Sequence, residues 1–277
     1  MRALAVLNQK GGVGKTTTAV NLSAALAQAG QRVCLIDLDP QAHATLHVGL
    51  TPGEAGPSMY DVLTGDLPLA AVRKQLSDNL WVLGSHIDLA AAEVELVGVV
   101  GREVILRDKL AEDAQRPDAP EFDYVIIDCP PSLGILTLNA LAAVDEVLLP
   151  LQPHFLALHG LSKLMQTIEL VNKRINDRLH LAGVVLCLFE SGTRLASEVS
   201  ADVADFFAQQ RPQRSLRGAT MFHTRIRRNI RLAEAPSFGQ TIFQYAADSH
   251  GAADYAALAA ELHEILAATE MYSSPSV

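Results

Sequence analysis

Residues 8–18, NQKGGVGKTTT, decide which fold this chain is expected to adopt. They follow a short apolar run, ALAVLN (3–8), of the kind that forms a buried strand. They lead into residues 16–29, where apolar side chains recur at helical spacing up to Gly30. A glycine-rich loop between a strand and a helix is the arrangement of a phosphate-binding loop. The sequence therefore predicts a nucleotide-binding α/β domain.

The loop deviates from the common pattern GxxxxGK(S/T), which would place a glycine at position 9. This chain has Gln9 there, followed by an extra lysine, Lys10. The glycines still allow backbone amides to turn toward phosphate oxygens, and the helix directs its positive end at them. Lys15 is expected to reach the β- and γ-phosphates, Thr16 to bind Mg²⁺ and Thr17 to add a phosphate contact. The predicted nucleotide-binding residues of the loop are Lys10, Gly11, Gly12, Val13, Gly14, Lys15, Thr16 and Thr17.

Acidic residues end two further apolar runs. Asp37 and Asp39 follow VCLI (33–36), and Asp128 follows YVII (124–127). The carboxyl ends of parallel strands form the sheet edge where ligands bind. An aspartate at that edge can hold a magnesium-bound water beside a phosphate loop. The two runs and the loop together predict a site for ATP and Mg²⁺.

The rest of the chain alternates short apolar runs with longer stretches of helical period, as βαβ units around a parallel sheet do. We expect one α/β domain over residues 1–268, a mostly parallel twisted sheet with helices on both faces, and a frayed tail over 269–277. Besides the runs at 3–8 and 32–39, strands are predicted at 80–84, 122–128, 146–151 and 181–189. Further helices are predicted at 90–98, 103–115, 135–143, 160–176, 196–209 and 252–268.

Composition narrows the class of protein. The chain has 277 residues, is 49% hydrophobic and carries a net charge of −9, so a sizeable core is expected. The sequence shows neither a secretion signal nor an 18-residue apolar run, which predicts a cytoplasmic protein. Its three cysteines, Cys34, Cys129 and Cys187, lack CxxC spacing and are expected to be buried thiols.

A segment rich in arginine interrupts this acidic chain. Residues 211–231 contain seven of the 22 basic residues, which predicts a local positive field. Arginine forks suit phosphate, so non-specific, salt-sensitive contact with a nucleic-acid backbone is one interpretation. The alternative is pairing with acids on the same surface, such as Asp202, Asp205 or Glu234. The seven are Arg211, Arg214, Arg217, Arg225, Arg227, Arg228 and Arg231.

Four motifs occur in order: KGGVGKTT, DLDPQ, IIDCPPS and NIRLAEAPSFG. Together they resemble the ParA/Soj family of DNA-partitioning ATPases, within the wider deviant-Walker class that includes MinD and the nitrogenase iron protein. The resemblance covers residues 2–268. It implies an ATP-bound homodimer that binds double-stranded DNA non-specifically on the nucleoid and meets a ParB/Spo0J-like partner.

The resemblance also implies residue roles. Lys10 would cross to the nucleotide of the other subunit, Lys15 and Asp39 would complete the catalytic set, and Asp39 would position the attacking water. Asp128 would help to hold Mg²⁺ together with Thr16. Asp37 would not contact the ion itself but would lie next to the residues that do. A lysine supplied in trans makes physical sense, because a second cation offsets the charge that develops during phosphoryl transfer. The implied DNA contacts are Arg217, Arg225, Arg227, Arg228 and Arg231.

Two departures from the family remain open at the level of sequence. Relatives have Ile-Pro-Arg-Asn where this chain has IRRN (226–229), a segment that borders the base in the family. Asn229 is expected to hold adenine, while Arg227 could serve the base or DNA. His154 and His159 replace glutamates, which suggests metal binding, a pH response or, most simply, ordinary histidines.

Other functions weigh less. A MinD-like membrane cycle needs a basic amphipathic C-terminal helix, and the last predicted helix is acidic. An iron–sulfur reductase would need a second suitably placed cysteine. A small-molecule kinase would need a lid or acceptor domain, which the sequence does not suggest. A ParA relative that positions another cargo stays open.

Overall fold

A single eight-stranded sheet organises the computed structural model, which describes residues 1–53, 56–154, 157–210, 216 and 219–273. The strands are β1 (Arg2–Val6), β2 (Val33–Asp37), β3 (Arg73–Ser77), β4 (Leu80–Leu83), β5 (Tyr124–Asp128), β6 (Glu146–Leu151), β7 (His180–Phe189) and β8 (Thr220–Arg227). Their order is β3-β4-β2-β5-β1-β6-β7-β8. All neighbours run parallel except β3, which is antiparallel to β4.

Helices cover both faces of this sheet. They are α1 (Lys15–Gln28), α2 (His43–His47), α3 (Met59–Thr64), α4 (Leu69–Val72), α5 (Leu89–Glu95), α6 (Ile105–Ala114), α7 (Ile135–Ala143), α8 (Ala157–Arg174), α9 (Arg194–Gln210), α10 (Ile230–Glu234), α11 (Ile242–Tyr245) and α12 (His250–Ser273). Short 3₁₀ turns follow α5 and α10, at Leu96–Gly98 and Ala235–Phe238. The predicted doubly covered, mostly parallel α/β fold is confirmed.

The core explains why the central strands carry almost no polar residue. Strands β2, β5 and β6 are buried at every position, because one apolar cluster packs on each face of the sheet. One cluster joins the sheet to α3–α9, and the other joins it to α1, α2 and α10–α12. All three cysteines are buried and free, as predicted.

Register brings the predicted acidic residues together. Asp37 and Asp128 are directly paired across β2 and β5, and Val6, which ends β1, is paired with Asp128 on the other side. The phosphate loop begins just beyond β1. One edge of the sheet therefore collects the loop and both aspartate-bearing strand ends, as expected for a parallel sheet.

Two strands were not predicted, β3 and β8. β8 lies inside the arginine segment, where its charged side chains hide a short alternation that buries Phe222 and Ile226. It is the last strand of the sheet, and acids of α12 accept its backbone N–H groups. Glu261 accepts from His223 (2.6 Å) and Thr224 (2.8 Å), so the acidic face of α12 caps an edge strand.

The other boundaries shift by a few residues. The strand predicted at 32–39 is shorter, Val33–Asp37, and the helix predicted at 160–176 begins earlier, as Ala157–Arg174. Helix α12 continues to Ser273, past the predicted start of the tail at 269. Residues 274–277 of the predicted tail lie outside the described residues.

Candidate active site

The phosphate loop has the backbone shape that its glycines allow. Gly12 and Gly14 adopt φ of +73° and +95°, in the left-handed region that non-glycine residues rarely enter. Gly14 is the N-cap of α1, and its carbonyl accepts the Thr18 N–H at 2.8 Å. The unpaired N–H groups of the first helical turn are thus available to an anion.

A cavity of about 490 Å³ opens in front of this helix end. Its walls come from the loop, the segment after β2, the ends of β7 and β8, and helices α10 and α12. Of the residues predicted to bind nucleotide, Lys10 and Val13 do not line it, and the Val13 side chain is buried. The lining residues are Gly11, Gly12, Gly14, Lys15, Thr16, Thr17, Asp39, Gln41, His43, Pro131, Cys187, Leu188, Ile226, Arg227, Asn229, Leu232, Ala233 and Tyr255.

Lys15 is a buried cation that faces carboxylates without touching one. It is 8% exposed, and its ammonium donates to the Lys10 carbonyl at 3.3 Å. Burial lowers the pKa of Lys15, and the charges of Asp128 and Asp39 offset this only in part. A phosphate oxygen would supply the counter-charge that the ammonium lacks.

Lys10 differs from Lys15 in exposure. Its side chain is exposed, while its backbone N–H donates to Asn8 Oδ1 at 3.0 Å. Asn8 is itself fixed by a 2.8 Å bond from its Nδ2 to the Pro150 carbonyl. The loop therefore holds the Lys10 backbone firmly and leaves the side chain outside the cavity of its own chain.

Asp37 is a buried carboxylate, and both of its oxygens accept hydrogen bonds. Its Oδ2 accepts from the Thr45 amide (2.8 Å) and hydroxyl (2.7 Å), and its Oδ1 accepts from the Asp39 amide at 3.1 Å. Burial raises the pKa of Asp37 to about 6, although these bonds favour the ionised form. Asp37 thereby fixes the backbone that carries Asp39.

Asp39 projects into the cavity. It is 8% exposed, its Oδ1 accepts from the Gln41 amide at 2.9 Å, and its carbonyl accepts from the Ser85 hydroxyl at 2.7 Å. Its second carboxylate oxygen accepts none of these bonds. A carboxylate held in this way can orient a water molecule beside the phosphate loop.

Asp128 is the side chain whose hydrogen-bonding capacity is least satisfied. It is fully buried, and neither of its carboxylate oxygens has a hydrogen-bond partner of normal geometry among the described residues. Burial, followed by the charge of Asp37, raises its pKa well above the usual range, against the smaller effects of Thr16 and Lys15. A divalent cation with oxygen ligands would compensate this carboxylate, so the residues fit Mg²⁺.

Tyr255, Thr18 and Cys187 form a buried group that the sequence did not single out. The Thr18 hydroxyl lies 3.1 Å from the Tyr255 hydroxyl and 3.7 Å from Cys187 Sγ. It joins the first turn of α1 to α12 and β7. Leu188, beside Cys187, has a left-handed φ of +52°, which places a strained residue in the cavity wall. The apolar period of α12 was the signal for burial of Tyr255, but it gave no link to the loop.

Each described arginine of the segment that was predicted to bind DNA has a partner. Arg225 lies 4.5 Å from the centre of the Phe189 ring, and Arg228 pairs with Glu190 at 2.5 Å. Arg231 pairs with Glu234 at 3.0 Å, as in the alternative interpretation, and Arg227 pairs with Asp254. Arg225, Arg228 and Arg231 are nevertheless exposed. Arg211, Arg214 and Arg217 lie outside the described residues.

The two unusual histidines are not part of a metal-binding cluster, because the described part of the chain has no group of three or more His, Cys, Asp or Glu side chains that could hold a metal ion. His154 is partly buried near the phosphate loop. Burial and the charge of Lys10 lower its pKa, while His159 is exposed on α8. Across the described ranges, no helix has the length and apolar character needed to cross a membrane.

Comparisons with known proteins agree with this geometry. Residues 1–181 match the family model described as "AAA domain". The chain is 44% identical to a chromosome partitioning protein ParA of Myxococcus xanthus, covering 94% of this chain and 87% of that one. It is 43% identical to the sporulation initiation inhibitor protein Soj of Bacillus subtilis, covering 94% and 98%.

Solved structures extend the likeness to the fold. A Mycobacterium smegmatis structure named cobyrinic acid a,c-diamide synthase, with bound ADP and magnesium, is 36% identical with a TM-score of 0.80 and covers 97% of this chain and 96% of that one. The cell division ATPase MinD of Pyrococcus furiosus has a TM-score of 0.74 at 23% identity, over 95% of this chain and 99% of that one, and shows likeness of fold.

Proposed function

Because the chain belongs to the ParA/Soj family of partitioning ATPases, we propose that it binds and hydrolyses ATP and uses the nucleotide to control its own dimerisation and DNA binding. The observation that carries this proposal is a pair of buried groups by the phosphate loop whose charges are only partly compensated. The Lys15 ammonium donates to a backbone carbonyl, and neither Asp128 oxygen has a hydrogen-bond partner of normal geometry among the described residues; a nucleoside triphosphate with Mg²⁺ would supply a counter-charge to each.

The residues of the chain divide the work of phosphoryl transfer. Backbone amides at the start of α1 and the Lys15 ammonium hold the β- and γ-phosphates, and Thr17 adds a contact. Asp39 orients the attacking water, and Asp37 keeps Asp39 in place through its amide. Thr16 and Asp128 would hold Mg²⁺, which supplies positive charge to the phosphate oxygens when it is bound.

Lys10 is proposed to act on a second subunit. Its exposed side chain lies outside the cavity of its own chain, whose phosphate end already contains Lys15. A lysine that reaches the γ-phosphate of a facing subunit stabilises the transition state only in the dimer. Hydrolysis would then depend on association, which makes ATP a switch.

DNA binding is proposed for the exposed arginines of the segment, Arg225, Arg228 and Arg231, together with Arg217. Each exposed pair or ring contact is weak, so these guanidinium groups can exchange a surface carboxylate for a backbone phosphate. A dimer presents the surface twice, which raises the effective affinity for one duplex. A ParB/Spo0J-like partner would accelerate hydrolysis and release the DNA, and the protein would reside on the nucleoid.

The test is DNA retention measured with ATP, with ADP and without nucleotide, at several salt concentrations. We expect DNA to be retained with ATP but not with ADP or without nucleotide. The logarithm of the affinity should fall linearly with the logarithm of the salt concentration, with a slope of about −0.9 per phosphate contact. Retention that is indifferent to nucleotide, or absent with ATP, contradicts the proposal.

The name of the mycobacterial structure raises a second candidate, ATP-dependent amide formation on cobyrinic acid. Because that structure is 36% identical over nearly the whole chain, the two candidate activities are tested side by side. ATP turnover can be measured with DNA and, separately, with cobyrinic acid and ammonia. Stimulation by cobyrinic acid and not by DNA would favour the second candidate.

A further inference from the structure

Arg227 stands apart from the other arginines of its segment. Among those that the structure describes, it is the one that lines the nucleotide cavity. The side chains of Arg228 and Arg231 are 60% and 54% exposed, whereas that of Arg227, which pairs with Asp254 of α12, is 43% exposed. Its position assigns it to the cavity wall as much as to the surface.

Asp254 fixes the orientation of this guanidinium. Arg227 Nε lies 3.0 and 3.1 Å from the two carboxylate oxygens, and Nη2 lies 2.5 Å from Oδ1. The same carboxylate accepts the Arg227 backbone N–H at 2.9 Å, and its side chain is 9% exposed. A fork-shaped pair of this kind is planar and restricts rotation of the guanidinium. Nη1 takes part in none of these bonds.

The position of β8 determines which part of a nucleotide can meet Arg227. β8 lies three strands from β1, so its end is about 14 Å from the strand that precedes the phosphate loop. The neighbouring cavity wall is apolar, with Leu188, Ile226 and Leu232. The part of a nucleotide that is flat, weakly polar and distant from the phosphates is its base.

Asn229 adds a polar group at the same place. Its Oδ1 accepts the Arg231 N–H at 2.8 Å as the cap of α10, so its carbonyl oxygen is already engaged. Its amide hydrogens are the groups left to donate to the edge of a base. A planar cation and an amide donor thus border one end of the cavity.

We propose that Arg227, held by Asp254, is the platform on which the purine base stacks, and that it does not contact DNA. The inference rests on the proposed nucleotide-binding function and assigns this chain's own base contact. Planar guanidinium groups stack on aromatic faces. Every base has such a face, so Arg227 contributes to ATP and GTP binding alike and leaves discrimination to other groups.

Equilibrium binding of fluorescent ATP and GTP analogues with Mg²⁺ tests the proposal without reference to turnover. Arg227→Gln should weaken both analogues about tenfold. Asp254→Asn should weaken them in the same direction, because it keeps Arg227 but loosens its orientation. The matched control is Arg194→Gln, an exposed arginine paired with Glu198 outside the cavity, which should change affinity less than about twofold. If Arg227→Gln does not fold, Arg227→Lys gives the same test, since lysine keeps the charge without the plane.

DNA retention at saturating ATP completes the experiment. Arg227→Gln should keep the parent's slope of log DNA affinity against log salt concentration, whereas Arg228→Gln should make this slope less steep. Parent-like affinity of Arg227→Gln for both analogues would overturn the inference, as would loss of DNA binding by this variant at saturating ATP. Failure of the parent to bind ATP would instead contradict the proposed function.

Discussion

The phosphate loop and the arginine segment are both rich in basic residues, but the fold treats their charges in opposite ways. Lys15 is buried without a carboxylate partner, and burial lowers its pKa. Hydrogen bonds with Asp254 raise the pKa of Arg227, and bonds with Tyr245 and Glu234 raise that of Arg231. A cation that the fold leaves uncompensated points to a ligand, whereas a compensated one does so only when another observation supports it.

The largest effect is expected from removing the uncompensated cation. Lys15→Gln keeps the length and polarity of the side chain but deletes the charge that would meet the phosphates. We expect ATP affinity to fall by at least about 100-fold, since hydrogen bonds to charged groups contribute about 1.5–3 kcal/mol each. Isothermal calorimetry measures this loss. An affinity within threefold of the parent would show that the buried charge of Lys15 is not needed to bind ATP.

His47 extends the comparison to a second buried basic group. It is 1% exposed, its Nε2 has no partner among the described residues, and burial lowers its pKa to about 4. The unfolded chain, with a pKa near 6.5, therefore binds more protons between these values. The contribution of neutral His47 to the free energy of unfolding is therefore fully present above pH 6.5. It is lost as the pH falls toward 4, by up to about 3 kcal/mol.

Urea unfolding at pH 7 and pH 5 checks the His47 effect. His47→Gln should show a smaller loss of stability between the two pH values than the parent. His43→Gln, an exposed histidine on the same short helix, should keep the parent's difference. An equal pH dependence in His47→Gln and the parent would show that burial of His47 does not contribute to the pH dependence of stability.

A smaller effect is expected where the fold satisfies a polar group internally. Tyr255→Phe deletes the hydroxyl that lies 3.1 Å from Thr18 behind the phosphate loop. The loss should be about 1 kcal/mol of unfolding free energy, measured in urea. Tyr60→Phe, which removes an exposed hydroxyl bonded to Glu95, is the matched control and should cost less. Equal effects would show that burial of the hydroxyl is unimportant.

The sequence predicted the half of the site that is local in the chain. Lys15 and Thr16 follow from the loop motif, and the strand-ending Asp37 and Asp128, with Asp39 just beyond β2, follow from short motifs because the carboxyl ends of neighbouring parallel strands meet at one sheet edge. The sheet order brought them together as expected.

The other half depends on pairing between distant segments. Tyr255 and Leu188 enter the cavity wall through the packing of α12 and a left-handed residue near the end of β7, which no local pattern encodes. β8 was not predicted because its arginines interrupt the alternation of apolar and polar residues. The roles of the acidic residues of α12 could not be predicted because their partners lie in a distant part of the sequence. The acidic residues of α12 argued against a membrane-binding helix at the level of sequence. In the structure, two of them, Asp254 and Glu261, accept hydrogen bonds from the backbone of β8, and Asp254 also binds the guanidinium of Arg227.

Size-exclusion chromatography with light scattering measures whether the exposed Lys10 is needed for ATP-driven dimerisation. Parent, Lys10→Ala and the surface control Lys163→Ala are compared at an ATP concentration that saturates each protein, before appreciable hydrolysis. We expect ATP-driven dimers for the parent and for the exposed-site variant Lys163→Ala, and monomers for Lys10→Ala with ATP bound. Equal ATP-driven dimerisation of Lys10→Ala and the parent would contradict this expectation.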